Sequence, residues 1–556
     1  MKKIFFVFAF LFLIIRCYCQ TNDKNYPDNI ALKVYKDSIK YFTEILKNKA
    51  IDENILLNRG NCYFVLHEYE SALVDYRDAF SILLTKKKDS KSLYDDKLSL
   101  CYYKLGRCYD ALGKYDDALS SYTAAIENNH SNQDAYLYRA NLKSLNDNHH
   151  GAIMDYTRVI EINPNNALAY HQRGFERMQI LDKDYKEATS DFTKAIELNP
   201  QYSKAYKNRG VCKMELKEFQ GSILDFSKSI ELEPNDGETY RYRAYAEEEL
   251  YNYKLAINDF TRAIELNPND EASYFSRAKI KEILKDYSGA ILDCSKAIEI
   301  ENNHADSYVL RAMNKIHIND YSGAILDFSK GIELKPEWDE AHNGSGIAKF
   351  ELKDYEGAIS AYSKAIEINP KYADAYNNRA NAKKELEDHF GSLMDYSKAI
   401  DLKPNEGGVY YNRGKLKTIL KDYKGAIIDY TAAIYYNPDL MEAYNGRGCA
   451  KVMLKDYEGS ISDFSKAIDL KSDDGINYHY RGISKYEIQD YKGAILDFTK
   501  SIDLNAYVPD NYYRRGLVEM LIGQKNNGCS DLRKAYELGI KEASEPIRLG
   551  CEGYYK

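Results

Sequence analysis

Tryptophan occurs once, at Trp338, and proline only 11 times in 556 residues. So few prolines exclude a proline-rich extended chain, and 44% hydrophobic residues exclude wholesale disorder. Positive charge is in deficit: 77 Lys and Arg against 85 Asp and Glu leave a net −8, which argues against a general nucleic-acid or anionic-membrane surface. Long apolar runs are missing beyond the N-terminus, so no later segment is expected to span a bilayer. The ten histidines are scattered without an HExxH pattern, and neither a GxSxG elbow nor a phosphate loop is present. No cysteine pair has metal-site spacing. No catalytic, cofactor-binding or metal residue is therefore assigned, and the chain is not expected to be an enzyme. His149-His150 reads as a solvated turn.

The N-terminus has a different composition. Lys2 and Lys3 precede the apolar run Ile4 to Ile15, then Arg16-Cys17-Tyr18-Cys19 and Gln20. A basic start, a short apolar run and small residues at alternate positions describe a secretory signal peptide over 1–19. As a helix the run would reach about 18 Å, too short for a bilayer core of roughly 30 Å. Arg16 makes a poor lipobox, so lipid anchoring at Cys17 is the weaker expectation. Loss of Lys2, Lys3 and Arg16 takes the net charge from −8 to −11. The protein is expected in the periplasm, at the cell surface or secreted.

What the chain has in excess is repetition. Tyr410, Arg413, Tyr423 and Asp429 are answered by Tyr444, Arg447, Tyr457 and Asp463, each 34 residues on. A small residue marks fourteen copies, from Gly60 and Gly106 through Ala278 and Gly414 to Gly516. Such a period indicates a helical array, in which stacking buries what one copy cannot. Each copy reads as two antiparallel helices. In the copy from Tyr410 the first runs to about Leu420, Lys421-Asp422 turn, and the second begins near Tyr423 and stops before Pro438. Ala426, Ile427, Tyr430, Ala433 and Ile434 form one apolar stripe at helical spacing. The expected organisation is a linker and capping helix over 20–52, the array over 53–542 with an insertion near 81–98, and a C-terminal capping helix and tail over 543–556.

The leading Tyr (Tyr376, Tyr410, Tyr444), the small residue, Leu420, Tyr423, Ala426, Tyr430, Ala433 and Pro438 resemble the tetratricopeptide repeat family, over about residues 53–542. The resemblance implies an all-α fold: a right-handed α-solenoid of tandem helix hairpins whose concave face, built from first helices, holds a peptide or protein. In this family, residues three before and one after the small residue face the groove. A chaperone-tail clamp would need Lys then Asn at those two places. Lys207 is followed by Val211, and Asn61, Asn141 and Asn381 are preceded by Leu57, Leu137 and Asn377, so that route to a carboxylate is doubtful. Near the C-terminus these places and the adjoining turn become apolar: Val452, Met453, Ile483, Tyr486, Tyr513, Leu517 and Met520. They suit an apolar peptide, or equally the packing of neighbouring first helices. A binding scaffold and a structural subunit of an envelope or secretion assembly both fit these features.

One pairing is internal to the sequence. Twelve copies place Arg before the small residue, and the same twelve place Asp in the second helix; Arg413 and Asp429, Arg447 and Asp463, and Arg481 and Asp497 are examples. The two exceptions lose both, with Leu105 against Ser121 and Ser345 against Ala361. Joint loss favours a physical tie, expected as a bidentate ion pair joining the two helices. The copy with Ser345 also carries Gly344 and Gly346, and is expected to be the softest joint. Cys62, Cys108, Cys212 and Cys294 read as core residues. Cys529 and Cys551 would be brought together by an antiparallel cap, and an oxidising compartment would permit a disulfide.

Overall fold

The computed structural model describes residues 28–48, 51–87, 94–180 and 182–551. The expected signal peptide, with Cys17 and Cys19, lies outside them. Among the described residues the structure is helical throughout, an α-solenoid of tandem antiparallel hairpins in two compact units, 1–268 and 269–556. In the first unit an opening helix, Asp28–Asn48, precedes hairpins Glu53–Val65/Tyr69–Lys87, Asp95–Ala111/Tyr115–Asn128 and Gln133–Leu145/His149–Ile162. Ala167–Gln179/Tyr185–Leu198, Ser203–Glu215/Phe219–Leu232 and Gly237–Glu249/Tyr253–Leu266 complete it. The second unit runs from Glu271–Ile283/Tyr287–Ile300 in the same rhythm to Val508–Leu521/Lys525–Glu537, followed by a short 3-10 turn and the helix Ser544–Gly550. The insertion lengthens the two helices flanking it, to 19 and 17 residues.

Local chemistry sets the hairpin ends. Lys421 takes φ 64°, the left-handed conformation that stops the first helix. Asp422 then caps the second, its Oδ1 accepting from the Gly425 amide at 3.0 Å. The same Asp-x-x-Gly cap recurs from Asp286 to Asp490. At the far end Asn437 terminates the helix, and Pro438 offers no amide to extend it. The apolar stripe is buried as expected. Ala426, Tyr430 and Ala433 pack with Ala443 and Ala450 of the next first helix. Burying each large side chain contributes roughly 1.5–3 kcal/mol.

The tie is present in all twelve hairpins that carry both residues. Each Arg donates from Nε and Nη2 to the two carboxylate oxygens of its Asp, at 2.6–3.0 Å. Asp429 is 1% exposed, so the pair is desolvated and must be fully hydrogen-bonded. Three further partners provide that. Arg413 Nη1 donates to Ser397 of the preceding second helix at 3.0 Å, Lys417 Nζ lies 2.8 Å from Asp429 Oδ2, and the Tyr410 ring stands 5.8 Å from the guanidinium carbon. The opening helix follows this register, with Thr43 accepting from Arg59. The guanidinium therefore joins three helices, and it links hairpin to hairpin as well as helix to helix.

The two untied hairpins differ from each other. In Asp339–Glu351/Tyr355–Ile368 the glycines are required by packing. A Cβ on Gly344 would come within 2.4 Å of Phe328 Cζ, and one on Gly346 within 2.5 Å of Tyr362 Cε1. Ring contacts of the same closeness occur at Gly446 and Gly448 of a tied hairpin, so the place of the ion pair itself goes to the small buried residues Ser345 and Ala361. In Asp95–Ala111/Tyr115–Asn128, Leu105 is buried, and Ser121 turns back to the Asp117 carbonyl.

Three outcomes follow. Arg413→Leu alone leaves Asp429 buried with only Lys417, and should cost roughly 3 kcal/mol, more than Arg413→Leu combined with Asp429→Ala. A double-mutant cycle by denaturant unfolding measures the coupling, and simple additivity would show that the pair contributes none. Hydrogen exchange should be faster in 339–368 than in the tied hairpins on either side. Gly344→Ala should destabilise by about 1–3 kcal/mol despite its better helix propensity, because the added methyl overpacks against Phe328.

Candidate protein-binding face

First helices of successive hairpins lie side by side and are joined by side-chain amides. Asn378 Nδ2 donates to Asn343 Oδ1 at 3.1 Å, Asn412 to Asn377 at 3.3 Å, and Asn445 to Asn477 at 2.6 Å. In the first unit Asn208 meets His171 Nε2 at 3.1 Å. Burial pushes the His171 imidazole down to about 4, so it is neutral and Nε2 can accept. Lys207, which stands where a clamp lysine would, is held by Asp236 and Glu238 at 3.1 and 2.9 Å.

The seven apolar residues read from the sequence fall in three places. Met453 ends its helix 58% exposed, beside a half-buried Val452. Ile483 and Tyr486 are half-buried against Ala494, Phe498 and Val518. Tyr513, Leu517 and Met520 are half-buried against Leu532, Ala535 and Ala543, close to the C-terminal cap. Met453 is thus the most accessible of the set, and the others divide their surface between hairpin packing and solvent.

The cap joins Cys529 to Cys551 through a disulfide. The other described cysteines are unbonded. Burial pushes the thiols of Cys101, Cys108, Cys212 and Cys294 up to about 12, and those of Cys62 and Cys449 to about 11, which makes them poor nucleophiles. Cys101, without a role from its spacing alone, is a core residue beside Leu98 and Leu105. His149 differs from its expectation as a solvated turn. It begins a second helix, and its Nδ1 lies 2.8 Å from Oε2 of the buried Glu176, which also accepts from Ser144 Oγ at 2.6 Å. Sequence gave no sign of this because Glu176 belongs to the next hairpin. Among the described residues no group of three His, Cys, Asp or Glu could hold a metal ion, and no helix is long and apolar enough to cross a membrane.

Glu519 occupies the position of Lys417, four residues after the tying Arg. The residue is 6% exposed, Oε2 has no hydrogen-bond partner among the described residues, and it faces Asp531 where eight other hairpins place an ammonium. Burial first, and Asp531 second, push its carboxyl up to about 7. An acid raised in the folded state leaves stability intact below about 4.5 and erodes it as pH rises through 7. Glu519→Gln should therefore match the wild type at pH 4.5 and exceed it by about 2 kcal/mol at pH 8. Thermal melts of the two proteins across pH measure this, and a pH-independent difference would contradict the reading.

These features define a helical-repeat protein in which twelve hairpins carry the same tie and the first helices within each unit lie side by side. Family models agree: residues 99–132 and 407–440 match tetratricopeptide repeat models, and residues 346–387 match a TPR repeat model. The chain therefore contains tetratricopeptide repeats. Among solved structures, the APC/C hetero-tetramer Cut9-Hcn1 is similar over 86% of this chain and 92% of that one, at 14% identity and TM-score 0.34. A tetratricopeptide repeat protein from Parabacteroides merdae covers 47% of this chain and 98% of its own, at 22% identity and TM-score 0.33. YrrB, described as a TPR protein with an unusual peptide-binding site, covers 35% and 97%, at 21% identity and TM-score 0.32. No curated protein matches the chain.

Proposed function

We propose that this chain is an exported, non-enzymatic scaffold that holds extended peptide or protein segments along the row of first helices, on the concave face that its family implies. The carrying observation is the division of labour between the two helices of a hairpin. The tying Asp and the buried aromatic both belong to the second helix, so the first helices are free to vary at the places that face a groove. Those places change from Lys207 and Val211 through Asn377 and Asn381 to Tyr513 and Leu517, while the tie stays the same. A surface that varies on a constant frame suits recognition.

Export rests on the sequence of residues 1–19, and a bonded Cys529–Cys551 is the pairing an oxidising compartment would preserve. A photo-crosslinking residue at Met453, on a first helix, should give discrete adducts in the native cell envelope. The same residue at Leu496, which is 70% exposed on a second helix, should give none. Equal labelling from both would refute binding at the first helices. The mature protein should begin near Gln20 by N-terminal sequencing, and an intact N-terminus would refute cleavage.

A further inference from the structure

The first unit contains an arginine that the repeat pattern does not account for. In the tied hairpins the guanidinium is used between helices by an aspartate. The hairpin Asp95–Ala111/Tyr115–Asn128 has Leu105 at that position, and its arginine stands two residues on, at Arg107. The Arg107 guanidinium carbon lies 5.0 Å from the centroid of the Phe64 ring on the preceding first helix. It lies 4.2 Å from that of Tyr138 on the following one. The hydrogen bond it makes among the described residues is from Nη1 to the Tyr103 hydroxyl at 3.2 Å, and no carboxylate there comes within 4 Å of it. Lys104, one turn earlier, also lacks an ion pair among the described residues and sits 5.9 Å from the Tyr103 ring.

Arg107 and its two rings border a cavity of about 400 Å³, lined among others by Phe64, His67, Tyr69, Arg107, Asp110 and Tyr138. The wall is aromatic on both sides of the guanidinium. Beyond the Nη1 bond to Tyr103 the guanidinium keeps N–H donors in a planar fork that matches a carboxylate. Asp110 also borders the cavity, and burial raises its carboxyl above the ordinary range despite Arg107. A neighbouring acid of this kind disfavours a dianionic phosphate more than a monoanionic carboxylate. The volume accommodates a few side chains, and the lining spans three successive first helices together with the turn at His67 and the start of a second helix at Tyr69, so the fitting partner is an extended segment.

We propose that this cavity is a binding site for a carboxylate of an extended peptide, seated on the edge of Arg107 with an adjacent aromatic or apolar side chain against Phe64 and Tyr138. The site rests on the reading of the chain as a peptide-binding scaffold and adds to it the chemistry of one place on that scaffold.

The test uses the full chain and three fluorescein-labelled peptides in a Gly-Ser background. One carries an internal Glu-Phe with an amidated end, the second Gln-Phe with an amidated end, and the third Gln-Phe with a free C-terminal carboxylate. Fluorescence anisotropy should show the Glu-Phe peptide binding at least about tenfold more tightly than the amidated Gln-Phe peptide. Arg107→Leu should abolish that preference, and Arg107→Lys, which keeps the charge without the fork, should retain part of it. Tighter binding of the free-ended peptide, also lost in Arg107→Leu, would support the site and assign it to a chain terminus. Circular dichroism melts show whether each variant folds; if Arg107→Leu does not, Arg107→Lys and the peptide comparison decide. Binding that ignores the carboxylate or Arg107 overturns the site and leaves the scaffold reading standing. Absence of binding by every peptide overturns the site too, and the scaffold reading falls with it only if Met453 gives no adduct in the envelope.

Discussion

Desolvation of one carboxylate per hairpin organises most of this fold. Asp429 and its equivalents are buried between two helices, where an unpaired charge would be strongly destabilising. The structure answers with a guanidinium fork on both oxygens, a lysine ammonium in eight hairpins, and a serine or threonine hydroxyl of the preceding hairpin on the remaining Arg nitrogen. Each of these groups depends on the others for its hydrogen bonds. A hairpin therefore keeps the Arg–Asp pair whole or abandons its charged centre altogether, which is why Arg and Asp vanish together.

The two hairpins that abandon it show what the tie otherwise prevents. At 339–368 the positions of the pair hold Ser345 and Ala361, both buried. At 95–128 the core is apolar around Leu105 and Cys101, and the arginine has moved to the surface row. In one case two small buried residues take the place of the charged pair. In the other it releases a guanidinium, held between two rings but paired with no acid among the described residues. The C-terminal hairpin is a third variation: the tie is kept, but Glu519 replaces the supporting lysine and brings two carboxylates together beside a disulfide-bonded cap.

Division between the helices also governs what the protein can present. Residues that hold the second helix in place recur with little change. First-helix residues on the outer row range from lysine and arginine through asparagine to tyrosine, and amide bridges such as Asn412 to Asn377 join them sideways. An array of this type gains recognition by varying a row of side chains on a frame held by local contacts.

The periodic contacts were legible before any coordinates. The hairpin bounds, the capping turn at Lys421-Asp422, the stop at Pro438 and the pairing of Arg413 with Asp429 all lie within one copy of the repeat, and fourteen copies display each of these columns repeatedly. The supporting Lys417, Ser397 and Tyr410 form columns just as visible, but their roles depend on three-dimensional direction. Ser397 belongs to the preceding copy, and which hydroxyl meets which nitrogen follows from how hairpins stack. For the same reason the sequence shows the apolar set from Val452 to Met520 without dividing it, since half-burial of Tyr486 and Met520 depends on Phe498 and on the cap. His149 on Glu176, and Arg107 between Phe64 and Tyr138, join neighbouring copies through residues that do not recur. Sequence alone determined what is periodic, because repetition reveals local chemistry. Only the tertiary structure decided what is singular, because a contact made once, between copies, leaves no pattern to read.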